Sequence, residues 1–317
     1  MNAKQQQKQR FTYGPVPSRR LGRSLGVSPI PPKTCSYSCV YCQLGRTTHF
    51  RAKRRSFFPK EDILTEIVES AAEGKTDFVT FVGDGEPTLN KDLGWLIRQT
   101  KEKWHLPVAV ITNGSLLSME DVREDLSEAD VVIPILDACS KRVFKIVNRP
   151  HRYIHFDQML QALVDFRFEY SGQIWVEIML VRDLNDTPKQ LRKIKRTIDM
   201  FNPDRVYILT PTRPPAEPWV KPSDPETILK AQEIIGGAIP VTGLESGQFG
   251  LYGFADARQA ILEIGSRHPL RREQAKEIDK EFCISGVIRQ MVENEELVNV
   301  KYNDEEYLLP GHFMRGR

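Results

Sequence analysis

Six times between Ser24 and Gly237 a short apolar run is followed by a longer stretch whose apolar residues recur every three or four positions. The short runs are SLGVSPI (24–30), DFVTFVG (77–83), PVAVITNG (107–114), DVVIPIL (130–136), IWVEIML (174–180) and RVYILT (205–210). Near-continuous apolar character is typical of parallel strands buried on both faces. Helical spacing follows in EDILTEIVESAAEG, with Ile63, Leu64, Ile67 and Val68, and in KDLGWLIRQTKEKW, MEDVREDLSEA, residues 156–169, DTPKQLRKIKRTIDMF and DPETILKAQEIIGG. Asp186 reads as an N-cap, and glycine ends the last of these helices. The alternation predicts an α/β fold with a parallel, curved sheet and helices outside, a partial (β/α)6 barrel. Functional side chains are then expected just after the strands.

Near Asp256 the pattern changes. DARQAILEIGSRHPL, RREQAKEIDK and ISGVIRQMVENEEL read as three short helices, and VNVKY and EEYLL as two strands joined at Asn303-Asp304. That order predicts a winged-helix-like domain. The divisions expected are a basic extension over 1–23, the barrel over 24–254 and the winged-helix-like domain over 255–317. The Pro-rich stretch 210–225 reads as a stiff loop after the sixth strand.

Composition adds little: of 317 residues, 40% are hydrophobic and 27% charged, as in ordinary globular chains. No run approaches the roughly 18 apolar residues of a membrane span, and the polar start MNAKQQQKQR is no secretory signal. A cytoplasmic, reducing setting is the default, where clustered cysteines bind metal or catalyse. Charge is more informative. Residues 1–60 hold 13 Lys or Arg and no acid, while the rest carries 32 basic and 42 acidic residues. Such a segment attracts nucleic acid, a phosphorylated cofactor or an acidic partner, or it offsets a buried anionic centre.

Three of the five cysteines, Cys35, Cys39 and Cys42, fall in TCSYSCVYCQLG. A structural zinc site needs four ligands, and His49 is the nearby candidate for a fourth. A [4Fe–4S] cluster on three cysteines leaves one iron open, able to chelate the amino and carboxylate groups of S-adenosylmethionine. A redox or zinc pair of Cys39 and Cys42, with Cys35 incidental, is the other reading. The spacing Cys-x3-Cys-x2-Cys, with Tyr41 before the last cysteine, resembles the signature of the radical S-adenosylmethionine superfamily. The resemblance implies reductive cleavage of that cofactor to a 5′-deoxyadenosyl radical.

The resemblance also implies cofactor contacts. GDGEP, with Gly83, Gly85 and Glu86, is similar to the Gly-Gly-Glu motif that holds the methionine amino group. Thr112 and Asn113 in ITNGS match a place where members touch the cofactor. Asp137 and Glu177 resemble polar positions lining the pocket, and Asn185 an asparagine that meets the adenosine. A structural turn, ion pair or cap is the competing role for each. Cys139 and Cys283 stand alone, so a second cluster is not expected.

ILDACSKRVFKIVNRPHRYIHF and VEIMLVRDLND are similar to the wyosine-type tRNA-modifying branch, and YGPVPSRRLGRSLGV to iron–sulfur oxidoreductases placed near it. No segment matches that branch's pyruvate-binding lysine, and the C-terminal region is additional. Arg19, Arg20, Arg23, Arg149, Arg152 and Arg213 are candidate anion readers. The expected substrate is anionic, with RNA or a peptide as the classes in view, and the expected reductant a flavodoxin or ferredoxin. The alternatives are a radical activase or peptide modifier that holds a protein partner, or a redox-sensing nucleic-acid-binding regulator. The third C-terminal helix and the turn after it carry Arg289 but also Glu293, Glu295 and Glu296, poor for a phosphate backbone.

Overall fold

The computed structural model describes residues 10–316 except Gly74, Ile284 and Ser285. The chain opens with β1 (Thr12–Ser18) and β2 (Gly22–Val27), and a two-residue pair, β3 (Thr34–Cys35) and β4 (His49–Phe50), brackets the cysteine loop. Then come α1 (Lys60–Glu73), β5 (Phe78–Phe81), α2 (Leu93–Trp104), β6 (Val108–Thr112), α3 (Glu120–Ser127) and β7 (Val131–Pro134). Next are α4 (Lys141–Val147), α5 (Phe156–Glu169), β8 (Gln173–Met179), α6 (Pro188–Phe201), β9 (Arg205–Leu209), α7 (Pro225–Ile235) and β10 (Ile239–Pro240). The sheet runs β1-β2-β5-β6-β7-β8-β9-β10, parallel throughout except for β1 against β2. All six predicted strands are therefore consecutive neighbours, and the sheet stays open at β1 and β10.

Both strand faces are apolar for a reason visible in the two-residue period. In β6, Val108 and Val110 pack under the helices while Ala109 faces the inner layer. In β8, Ile174, Val176 and Ile178 join the helix layer and Trp175 the inner one. Glu177 shares the parity of Trp175, which sets its carboxylate on the barrel's inner side. Burying each such valine, leucine or isoleucine contributes about 1.5–3 kcal/mol.

Three local expectations are corrected. Thr12–Ser18, inside the stretch read as a basic extension, is an edge strand, and Tyr13 and Val16 belong to a hydrophobic core. Residues 1–9 of that stretch lie outside the described residues. The N-cap of α6 is Thr187, whose hydroxyl accepts from Gln190 N. Asp186 is instead buried, accepting from Asp183 N and Ser223 Oγ at 2.9 and 2.8 Å. A helix not expected, α4, starts at Ser140, whose hydroxyl accepts from Val143 N.

Beyond the barrel lie α8 (Ala257–Arg267), β11 (Leu270–Arg271), α9 (Arg272–Glu281), α10 (Val287–Glu293), β12 (Leu297–Tyr302) and β13 (Glu305–Pro310). The three strands form a sheet of order β11-β13-β12. Asn303 and Asp304 turn its hairpin with φ of 49° and 64°, the positive values a tight two-residue turn requires. This unit shares a core with β1, where Tyr13 and Val16 meet Ile261, Ile264, Leu270 and Ile278. A second contact sets Tyr307, Leu309 and Phe313 against Leu44 of the cysteine loop. Between them runs a buried ion pair, Arg267 Nε to Asp84 Oδ2 at 3.1 Å. No helix of the described residues is long and apolar enough to cross a membrane.

Removing one partner of a buried pair leaves the other charge uncompensated, so Arg267→Ala should cost about 3–5 kcal/mol in urea unfolding. Tyr307→Phe forfeits only the 2.7 Å hydrogen bond to Thr212 O, and a loss of about 1 kcal/mol is expected.

Candidate active site

A cavity of about 290 Å³ opens at the carboxyl ends of the strands. Cys35, Cys39 and Cys42 all line it. Their loop is pinned to the end of α4, Val40 N donating to Val147 O at 2.9 Å and His151 N to Ser36 O at 2.8 Å. Cys35 Sγ accepts from Tyr37 N (3.4 Å) and Asn113 Nδ2 (3.5 Å), and Cys39 Sγ from Asn148 Nδ2 (3.7 Å). Burial, with Glu86 nearby, pushes the Cys35 thiol up to about 12; burial and Asp137 push Cys39 well above its ordinary value. Isolated thiolates are therefore disfavoured here unless a bound cation compensates them.

His49 does not supply a fourth ligand. It is exposed on β4 and its ring faces Pro32 O, outside the cavity lining. Among the described residues no three His, Cys, Asp or Glu side chains are grouped tightly enough to clasp one metal ion. Three thiols face the cavity, and amides donate to the sulfurs of Cys35 and Cys39. Cys139 packs against the helix-side core and Cys283 is exposed, both away from the cavity.

GDGEP lies directly on the cysteine strand. A Cβ on Gly85 would stand 1.8 Å from Thr34 O, and Glu86 N donates to that same carbonyl at 3.0 Å. Only glycine permits this approach. Gly83, at φ 116°, also lines the cavity. Glu86 is buried: Oε1 accepts from Thr88 N, Thr88 Oγ1 and Thr112 Oγ1, and Oε2 from Asn113 N at 2.7 Å. Burial pushes its pKa up and these donors pull it back. Among the described residues Oε2 accepts only from Asn113 N, which leaves it able to accept from a further donor.

Of the other expected residues, Tyr41, Thr112, Asn113 and Glu177 line the cavity, whereas Asp137 and Asn185 do not. Asp137 stands behind the wall and accepts from Tyr41 Oη, Asn148 Nδ2 (2.7 Å) and Met179 N (2.8 Å). Asn185 is wholly buried, its amide donating to Asp137 O and Met179 O and accepting from Val181 N. Both brace the residues that form the wall. Neither contacts the cavity, because their hydrogen-bonding capacity is spent on the backbone after β7 and β8 and on Tyr41 and Asn148.

The arginines divide. Arg20 pairs with Glu177 at 3.0 Å on the inner wall, and burial raises the Glu177 pKa against that attraction. Arg213 also lines the cavity, donating to Gln43 Oε1 (2.9 Å), to Glu245 and to His268 Nε2 (2.9 Å). Arg19 lines it as well but donates to Val241 O and Gly243 O. Arg23 is exposed, and Arg149 is held by buried Glu217 at 2.5 Å. Tyr37 Oη, Arg20 Nε and Arg213 Nε are buried on cavity-lining residues with no hydrogen-bond partner among the described residues, as a polar ligand site requires. Arg267, His268, Glu245 and Gln43 were not expected from sequence. The acid in GDGEP was the available signal, since a buried Asp84 demands a cation.

Fold and cavity together set three cysteine thiols in a pocket at the strand ends of a parallel α/β sheet. The family model of the Radical SAM superfamily matches residues 30–194. A UPF0026 protein of Methanocaldococcus jannaschii is 37% identical over 308 residues, covering 94% of this chain and 95% of that one. A protein named GTPase Obg from Brachyspira hyodysenteriae is 35% identical over 301 residues, covering 94% of this chain but only 41% of its own length. A solved radical SAM methyltransferase from Sphaerobacter thermophilus shares the fold with a TM-score of 0.55 at 15% identity, over 69% of this chain and 66% of that one. The chain belongs to the radical SAM superfamily, whose cofactors are a [4Fe–4S] cluster and S-adenosylmethionine.

Burial and the neighbouring Arg213 depress the His268 pKa to about 4, so the folded state holds it neutral. The unfolded chain then binds more protons between the ordinary histidine value and about 4, and stability should fall as pH drops through that window. His268→Gln should flatten this part of a stability–pH profile. Gly85→Ala should displace GDGEP from Thr34, lowering both the melting temperature and the iron content after anaerobic reconstitution.

Proposed function

We propose that this enzyme uses reductive cleavage of S-adenosylmethionine to take a hydrogen atom from an anionic substrate entering at the strand-end face. The observation that carries this reading is three cavity-lining thiols beside a buried carboxylate. Among the described residues no fourth cysteine or histidine lines the cavity, and Glu86 Oε2 accepts from a single donor. A [4Fe–4S] cluster held here would supply the one electron for reductive cleavage of S-adenosylmethionine to methionine and a 5′-deoxyadenosyl radical. Cys35, Cys39 and Cys42 would hold the cluster, and the amides of Asn113 and Asn148 would steady the sulfurs of Cys35 and Cys39. Gly83 and Gly85 let the backbone approach the cofactor, and Glu86 Oε2 would accept from its ammonium. Thr88, Thr112 and Asn113 keep that carboxylate oriented, while Asp137 and Asn185 fix Tyr41 and the strand ends. Arg20 and Arg213 are paired with Glu177 and Glu245, and their Nε atoms, without partners among the described residues, offer donors to an acceptor on the substrate. A flavodoxin or ferredoxin is the class of reductant that fits, in a cytoplasmic setting.

The C-terminal unit reads as a winged helix turned toward its own barrel. Its contacts with Asp84, Leu44 and Thr212 support that role. On its open side Arg289 is paired with Glu293 and Arg258 with Glu296, which disfavours a phosphate-reading regulator.

Anaerobically reconstituted protein given dithionite and S-adenosylmethionine should release 5′-deoxyadenosine, measured chromatographically. Cys39→Ala should abolish release, and Cys139→Ala should leave it unchanged. A full cluster without release in the wild-type protein would overturn the reading.

A further inference from the structure

Tyr37 stands between Cys35 and Cys39 in the cysteine loop and lines the same cavity. Only 2% of it is exposed, and its hydroxyl oxygen has no hydrogen-bond partner among the described residues. The side chain is not free to turn away. Its backbone N donates to Cys35 Sγ at 3.4 Å, and its carbonyl accepts from Thr47 Oγ1 at 2.6 Å. The ring meets Phe144 edge-on with centroids 5.3 Å apart, and Cys35, Cys39 and Tyr41 pack into the same apolar cluster.

Phenylalanine would fill this space at no polar cost, because a buried O–H without an acceptor destabilises a fold. Burial, followed by Cys39, Glu86, Cys35 and Asp137, pushes the hydroxyl well above its ordinary value, so it is a neutral donor. None of those four groups accepts from it. Asp137 is occupied by Tyr41 Oη, Asn148 Nδ2 and Met179 N, and Glu86 by Thr88, Thr112 and Asn113. Any two irons of a [4Fe–4S] cube share inorganic sulfides. Ligation by Cys35 and Cys39 would therefore bring sulfide acceptors beside the residue between them.

We propose that Tyr37 Oη donates a hydrogen bond to a sulfide of the bound cluster and thereby raises its reduction potential. Reduction adds negative charge to the sulfurs, so the donor stabilises the reduced form more than the oxidised one. This role rests on the cluster reading above and adds to it a residue that sets how readily the centre accepts its electron.

The test is an EPR-monitored redox titration of the anaerobically reconstituted full chain without S-adenosylmethionine. Tyr37→Phe should move the midpoint potential to more negative values, by about tenfold in the one-electron equilibrium, or ~59 mV. Electron–nuclear double resonance of the reduced cluster, compared in H2O and D2O, should show one exchangeable proton fewer in the variant. Tyr37 replaced by 3-fluorotyrosine, a stronger donor of nearly the same shape, should move the potential the opposite way and serves if Tyr37→Phe fails to take up iron. Tyr170→Phe removes a buried hydroxyl that donates to Ala129 O outside the cavity lining, and should leave both readings unchanged. A potential that stays where it is in Tyr37→Phe, or turns more positive, overturns the proposal. So does weaker S-adenosylmethionine binding at an unchanged potential, since the hydroxyl would then serve that molecule instead. If the wild-type chain takes up iron but gives no reducible [4Fe–4S] signal, the cluster reading falls as well. If the cluster forms and 5′-deoxyadenosine is released while Tyr37→Phe leaves the titration unmoved, the Tyr37 proposal falls alone.

Discussion

The carbonyl of Thr34 meets Gly85 with no room for a Cβ, and the whole mouth of the barrel is organised around that contact. One residue further, Cys35 faces the cavity; one residue beyond Gly85, Glu86 donates its amide to the same carbonyl. Glu86 then gathers Thr112 and Asn113 from the end of β6, and Asn113 returns to Cys35 Sγ. The cysteine loop, GDGEP and the end of β6 are thus one hydrogen-bonded body. Its rigidity comes from backbone proximity, which a single methyl group would break.

The C-terminal unit completes that body. Arg267 reaches Asp84 inside GDGEP, Gln43 Nε2 in the cysteine loop donates to Arg267 O at 3.0 Å, and Tyr307 holds the loop after β9. The unit's buried face clamps three active-site loops at once, and an ion pair with both partners only 6% exposed makes the clamp costly to open.

The charge asymmetry along the chain acquires a structural meaning in the same way. Arg10, Arg20, Arg46 and Arg54 of the basic first 60 residues pair with Glu66, Glu177, Glu217, Asp121 and Asp125 from the acidic remainder. Much of that excess is counter-charge for acids buried or half-buried around the barrel.

Strand order, helix phase and the cysteine spacing were legible from the amino-acid sequence, because period-two and period-3.6 patterns and a three-thiol motif are local properties. GDGEP was legible for the same reason. The antiparallel edge strand β1 was not, since TYGPVPS has two prolines and a glycine and earns its place only by pairing with β2 and packing under α8. Nor could the sequence say that Asp137 and Asn185 stand behind the wall while Glu177 stands on it. That depends on which residues β7, β8 and the cysteine loop bring within reach, and a polar side chain buried among backbone donors looks, in one dimension, the same as one turned to a ligand. The partners of Arg20, Arg213 and Arg267 lie 157, 32 and 183 positions away. Only a folded chain, in which burial forces every charge to find its opposite, could choose them.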